Sequence, residues 1–341
     1  SSADSTNSTV DGPTAFRGSP ITIFSHSNGL IMSRVDFRWV CPECRNPLEP
    51  AGGDGLKCPA DGFDFGRRDG ILSLLTDKRF DHYHRFLEEY RTVRRAEDRG
   101  VDESASYRAL PFADLQGNHR AEWRIRAASF HAMMELVVAP MADDAGSLTV
   151  ADLGAGNTWM SRRLALAGHR VVAVDLHTDP TDGLGARVLS EFDFSAVQAE
   201  FDRLPIPDGV CDLAIFNGAI HYSTNPATTI AEALRVLRPG GAVIILDTPV
   251  YRSAAAGEEM VAERQEAFVQ RFGFASDSIE CRGFLTFDDL EDFGRVLDLD
   301  WRCHRPYYGL RWGLRPLLAA IRGRRAPATF LVVWAHTRAR T

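Results

Sequence analysis

The chain of 341 residues has no acidic residue after Asp300, although nine arginines follow it, from Arg302 to Arg340. That imbalance suits an anionic substrate, an acidic carrier or partner protein, or RNA, and it equally describes arginines on a solvated face. The net charge of −7 argues against a general nucleic-acid binder. No apolar run is long enough to span a bilayer, and the first residues lack the basic region and apolar core of a signal peptide. A cytoplasmic setting and no membrane partner are therefore expected. The six cysteines, at 41, 44, 58, 211, 281 and 303, form no disulfide framework, which fits a reducing compartment. Residues 1–34 lack sustained periodicity and are rich in Ser, Thr, Asn and Gly. They read as a flexible extension, with Met32 a candidate natural start.

One cysteine is missing from an otherwise regular pattern. Cys41 and Cys44 make a CPxC knuckle, Cys58 opens a second knuckle, and Asp61 stands where its second cysteine belongs. This is metal-ligand spacing, and thiolates favour zinc or another soft metal. Asp61 is the expected fourth ligand, with His82, His84 and Cys303 as competing donors. Residues 35–75, which carry the knuckles, are too few to build a core unaided, so a structural metal would help.

From 78 to 138 apolar residues recur at helical spacing, with a break at YRALPF. The runs SLTVADL, HRVVAVDL, CDLAIFN and GAVIILD then read as buried parallel strands separated by helical stretches. AAAGEEMVAERQEAFVQRFG and TFDDLEDFGRVL, the latter with Thr286 as N-cap, read as helices. DWRCHRPYY and ATFLVVWAHT read as closing strands.

The densest signal is TVADLGAGNTWMSRRLALAGHRVVAVDL. A strand ends at Asp152, Gly154 and Gly156 turn the chain into a helix, and a second strand ends at Asp175. An acid at the end of that second strand can accept hydrogen bonds from two ribose hydroxyls, so the arrangement suits an adenosine-bearing ligand. A third glycine is absent: the third position of G-x-G-x-x-G falls on Trp159, whose bulk would obstruct a pyrophosphate.

Five blocks in order, DLGAG, AVDL, AEFDRLPIPDG, CDLAIFNGAIHY and EALRVLRPGGAVIILD, resemble the class I S-adenosylmethionine-dependent methyltransferases over residues 146–250. The resemblance implies an α/β, Rossmann-like fold with a seven-stranded sheet in the order 3-2-1-4-5-7-6. It implies that Asp152, Gly154, Ala155 and Gly156 hold the methionine part of the cofactor. It implies Asp175 at the ribose, Leu176, Glu200 and Phe201 around the adenine, and Asn217 at the loop beside the methyl. The family often has a third glycine where this chain has Thr158. The cysteine segment in turn resembles the zinc-ribbon module of certain rRNA guanine methyltransferases, where a histidine commonly stands at the position of Gly62.

The implied organisation is a flexible extension (1–34), a small zinc-ribbon-like module (35–75), a helical region (76–145) forming the acceptor pocket and a cap on the cofactor, and a methyltransferase domain (146–341). A helical insertion is expected at about residues 250–297 of that domain. Methyl transfer from a sulfonium needs alignment, exclusion of water and, for a protonated acceptor, a base. His221 is the candidate base because its ordinary pKa lies near neutrality, and Tyr222 can orient an acceptor. Aromatic and cationic residues flanking the domain, among them Tyr83, Tyr90, Arg94, Tyr107, Tyr308 and Trp312, are candidates for the pocket, and Arg124 or Arg126 for the cofactor carboxylate. The loop lacks the Asn/Asp-Pro-Pro-aromatic sequence that grips nucleobase amines. A small-molecule acceptor, in the manner of a specialised metabolite, is the leading expectation. An rRNA substrate and a noncatalytic, partner-recruiting role are its rivals.

Overall fold

In this computed structural model residues 34–35 and 37–338 are described, so the proposed extension lies almost wholly outside them. Strands β1 (Glu49–Pro50), β2 (Leu56–Lys57) and β3 (Asp64–Phe65) form a small antiparallel sheet beside the cysteine knuckles. Next come β4 (Arg67–Arg68) and β5 (Ile71–Ser73), which leave that sheet and join the main one. The module is therefore not walled off at residue 75. Leu48 and Phe65 pack into the same apolar cluster as the main sheet, and the Val40 N–H donates to the Pro205 carbonyl at 3.1 Å.

Helix α1 (Asp77–Ala96) starts where the Thr76 side chain accepts the Arg79 N–H, an N-cap that satisfies one of four orphan donors. After α2 (Ser104–Ala109), α3 (Arg120–Met133) runs through a π turn at Met134–Val138 into α4 (Ala139–Ala145). The wider turn ends two residues before Pro140, which has no N–H to continue an α ladder.

Strand β6 (Thr149–Leu153) leads through the glycine turn into α5 (Trp159–Leu166), and β7 (Arg170–Asp175), β8 (Ser195–Gln198) and β9 (Cys211–Asn217) follow. Helix α6 (Pro226–Val236), capped by Asn225, precedes β10 (Leu237–Leu246). The insertion holds β11 (Val250–Tyr251), α7 (Ala254–Phe272), β12 (Leu285–Thr286) and α8 (Phe287–Leu297). Thr286 and Asp289 close α8 with reciprocal hydrogen bonds, a capping box. The chain ends with β13 (Arg302–His304), α9 (Leu310–Gly313), α10 (Arg315–Ile321) and β14 (Val332–His336).

The main sheet runs β13-β14-β10-β9-β6-β7-β8-β5-β4, nine strands because the hairpin β4–β5 extends the β8 edge. Strands β5 to β10 pair in parallel, and β14 is antiparallel to both its neighbours. Alternate residues face opposite sides, so each strand feeds two apolar layers. Leu153, Val174, Phe216 and Ile245 meet Ile230 and Val236 of α6 on one face. Val150, Ala173, Ile215 and Ile244 meet Phe130 of α3 and Met160 and Leu164 of α5 on the other. Burial on both faces leaves the carboxyl ends of β6, β7, β9 and β10 as the place for a ligand, where the strand order reverses direction.

Candidate functional site

The turn after β6 is built by backbone conformation. Gly154 and Gly156 have φ of 76° and 52°. A Cβ on Gly154 would lie 2.3 Å from the Cβ of Ala219, so the residue admits no side chain. The Gly154 N–H donates to the Val174 carbonyl at 2.8 Å, which fixes the turn over β7. Thr158 also takes a left-handed conformation, φ 63°, which is costly for a β-branched residue. It is buried, and Tyr107 Oη sits 2.8 Å from its Oγ1 while donating to its carbonyl at 3.1 Å. The chain thus keeps a glycine-like path without a glycine, held by a tyrosine of α2.

A cavity of about 430 Å3 opens above this turn, within the usual range for a small-molecule site. Its first end is lined by Gly154, Ala155, Gly156, Asp175, Leu176 and Phe201. Asp175 accepts the Gly156 N–H and the His177 N–H, both at 2.8 Å, one on each oxygen. Each oxygen keeps a second lone pair for a ligand hydroxyl. His177 is buried against the Tyr90 ring, lines the cavity, and has neither ring nitrogen paired. A polar ligand at this end would satisfy it. The constricted glycine turn, the bidentate acid and the unpaired imidazole fit an adenosine-bearing cofactor. Trp159, wedged edge-on against Trp123 and Phe130, occupies the position where a pyrophosphate would need space.

Two expected cofactor contacts are placed differently. Asp152 is fully buried, accepts the Ser161 hydroxyl at 2.6 Å and does not line the cavity. Burial pushes its carboxyl up to about 7, against the Ser161 hydrogen bond and helped by Asp175. It supports the turn from behind. Glu200 lines the cavity, but Arg79 grips both its oxygens at 2.7 and 2.6 Å, and Tyr83 donates to it at 2.9 Å. The sequence offered no sign of this clamp, because Arg79 lies 121 residues from Glu200.

The second end collects Asn217, His221, Tyr222, Asp247, Arg264, Phe268 and Phe330. Asn217 ends β9, and Gly218, at φ 61°, packs beside Asp247 at the end of β10. The Tyr222 ring is tilted against His221 at 4.5 Å and meets Tyr90 edge-on. The imidazole of His221 is pushed down to about 3 by burial, with Arg264 adding to the effect. Its only hydrogen-bond partner among the described residues is Thr248 at 3.5 Å. Burial and Arg264 both oppose protonation of the ring, against the expectation of a base that titrates near neutrality. Asp247 was not singled out from the sequence, although an acid closing a strand at this edge is a usable signal. One of its oxygens accepts the Ser129 hydroxyl at 2.5 Å, and Tyr308 Oη lies 2.9 Å from that hydroxyl. The other is buried and unpaired, and burial raises the carboxyl above its ordinary value.

Other candidates divide. Tyr83, Tyr90, Arg94 and Arg126 line the cavity. Tyr107 holds the turn instead, Arg94 is committed to Asp182 at 2.5 and 2.6 Å, and Arg124 and Trp312 face a separate groove.

The knuckles bring Cys41, Cys44, Cys58 and Asp61 together, with all four donor atoms within 4.8 Å of one another. Cys41 Sγ and Asp61 Oδ2 are 3.3 Å apart, Cys44 Sγ and Cys58 Sγ 3.5 Å, and Cys58 Sγ and Asp61 Oδ2 3.7 Å. Tetrahedral zinc requires thiolates about 3.8 Å apart and a slightly shorter sulfur–oxygen spacing, so the set fits. The Asp61 N–H points at Cys58 Sγ at 3.3 Å, as expected of a knuckle turn. His82, His84 and Cys303 are not part of this group.

Comparison with known proteins bears on the central third of the chain. Residues 151–245 match the family described as methyltransferase domain. A malonyl-[acyl-carrier protein] O-methyltransferase of Buchnera aphidicola is 29% identical over 29% of this chain and 38% of its own length. A dimethylglycine N-methyltransferase of Parasynechococcus marenigrum is 34% identical over 33% of this chain and 40% of its own. The chain thus spans about two fifths of the length of these curated relatives. A solved Burkholderia thailandensis 1,6-didemethyltoxoflavin-N1-methyltransferase superposes with a TM-score of 0.43 at 17% identity, covering 85% of this chain and 99% of that one. The matched residues hold the glycine turn, Asp175 at the end of β7 and the strands through β10, so this part of the chain is similar to the methyltransferase domain family.

Proposed function

We propose that the protein transfers a methyl group from S-adenosylmethionine to a small-molecule acceptor. The observation that carries this reading is one cavity with two chemically distinct ends: a glycine turn with Asp175 at one, and His221, Tyr222 and Asp247 beside aromatic side chains at the other. The bound cofactor supplies an electrophilic methyl. The chain's own residues do the rest. Asp175 holds the ribose, Leu176 and Phe201 border the adenine, and Asn217 fixes the loop beside the methyl. Asp247 accepts a hydrogen bond from the acceptor through its unpaired oxygen and can take its proton, since a carboxyl with a raised pKa is a better base than an imidazole held near 3. Neutral His221 and Tyr222 orient the acceptor, and Phe268 and Phe330 exclude water.

Cys41, Cys44, Cys58 and Asp61 would hold a structural zinc, a closed site with no open position for chemistry. Its place in the reading is to tie β1–β3 to the main core. Zinc content near one per chain, lost in Cys58→Ala, is the supporting result.

The test is labelled-methyl transfer into whole-cell extract followed by fractionation. Label in a small, nuclease-resistant fraction supports the reading, whereas label confined to RNA supports the rRNA rival. No label in any fraction, with no cofactor binding, sinks every catalytic reading.

A further inference from the structure

The described part of the chain after Asp300 leaves an apolar stripe in water. Leu310, Leu314, Leu317 and Ile321 are 77, 51, 58 and 72% exposed. Their spacing of four, three and four puts them on one helical face. Hydrogen bonds from the Leu314 N–H to Leu310 and from the Leu318 N–H to Leu314, at 3.1 and 3.0 Å, carry the helical path from α9 into α10. Tyr307, three residues before Leu310, is also 75% exposed.

Arginines neighbour the stripe in the chain, and most of them lack a carboxylate partner among the described residues. In this stretch Arg325 pairs with Glu263 and Arg338 with Asp298. Among the described residues Arg302, Arg305, Arg311, Arg315, Arg322 and Arg324 pair with no carboxylate, and no acid follows Asp300 to supply a local partner. Arg124, Arg311, Arg315, Arg322 and Arg324 surround a groove of about 800 Å3 between α3 and α10.

We infer that this face rests on the anionic surface of a lipid bilayer. An aliphatic stripe flanked by arginine is the pattern of a helix lying in the plane of the interface, its apolar face in the acyl boundary and its cations among phosphate headgroups. The expectation of no membrane partner rested on the absence of a spanning run, and no described helix is long and apolar enough to cross. Lying on a membrane is a different geometry and needs neither. A second copy of the chain is disfavoured, because an isologous contact would oppose arginine to arginine. The placement also bears on the cavity: Tyr308, two residues before the stripe, bonds Ser129, whose hydroxyl donates to Asp247.

The test is sedimentation of the full chain with phosphatidylcholine vesicles and with vesicles of equal parts phosphatidylcholine and phosphatidylglycerol. Pelleting with the anionic vesicles only, weakened by salt, is expected. Arg311→Ala/Arg322→Ala/Arg324→Ala should weaken it on the order of a hundredfold, about fivefold per charge. Leu314→Asp/Leu317→Asp should abolish it with unchanged thermal melting, since both leucines are exposed. Failure to pellet with anionic vesicles overturns the inference. So does unimpaired pelleting of the leucine variant, a concentration-dependent dimer that this variant dissolves, or binding confined to total RNA. None of these results depends on methyl transfer.

Discussion

The two ends of the cavity are made in different ways. At the cofactor end, Gly154, Gly156 and Asp175 lie within 22 residues, and backbone conformation does most of the positioning: φ of 76° and 52°, and carboxylate oxygens fixed by main-chain N–H groups. At the acceptor end, Ser129, Asn217, His221, Asp247, Arg264 and Phe330 come from across the chain and are placed by side-chain packing and single hydrogen bonds. A backbone-built site binds a constant group, and a side-chain-built site can be retuned without disturbing the fold. Burial raises the carboxyls of both Asp175 and Asp247; at Asp175 two main-chain N–H donors oppose the rise, whereas at Asp247 the Ser129 hydroxyl opposes it and one buried oxygen stays unpaired.

The largest effect should come from the acceptor end. Asp247→Asn keeps the shape and the Ser129 contact but removes the base, so kcat should fall about a hundredfold or more while the Kd for S-adenosylhomocysteine stays unchanged. Equal losses in both would erase the distinction between the ends. Next is the clamp at the other end. Arg79→Ala leaves the Glu200 carboxylate buried with Tyr83 alone, and should cost about 3 kcal/mol in chemical denaturation. A stable variant that merely binds cofactor less well would return Glu200 to a direct cofactor role.

The remaining effect concerns pH. Folded His221 is depressed to about 3, whereas an unfolded histidine titrates near 6.5. Below about 6.5 the unfolded chain therefore gains a proton that the folded chain refuses. Stability should fall from there towards pH 3 and be flat above, as far as this residue is concerned. The rate profile should show no inflection near 6.5 from His221. An inflection there that vanishes in His221→Asn would restore it as the base.

What could be read from the sequence follows the same division. Gly154, Gly156, Asp175 and the strand ends were legible because each is dictated by neighbours in the chain: a turn needs its glycines, and buried strands need unbroken apolar runs. The Thr286 cap was legible for the same reason. The Arg79–Glu200 clamp and the Ser129–Asp247–Tyr308 contacts were not, since each joins residues more than a hundred positions apart. The His221 environment was not legible for a related cause: residue type gives the ordinary value, whereas desolvation and Arg264 of α7, which push it down, come from elsewhere in the chain. Thr158 shows the limit of motif matching. Its backbone takes the left-handed path of a glycine because Tyr107, 51 residues earlier, holds it there.

The central claim is that the cavity binds the cofactor through the Asp175 carboxylate. Calorimetric titration of S-adenosylhomocysteine into the wild-type chain and Asp175→Ala tests it most directly. Micromolar binding to the wild type, at least tenfold weaker in a variant with an unchanged melting profile, is the predicted result. Equal affinity in both, or no binding to either, would contradict it.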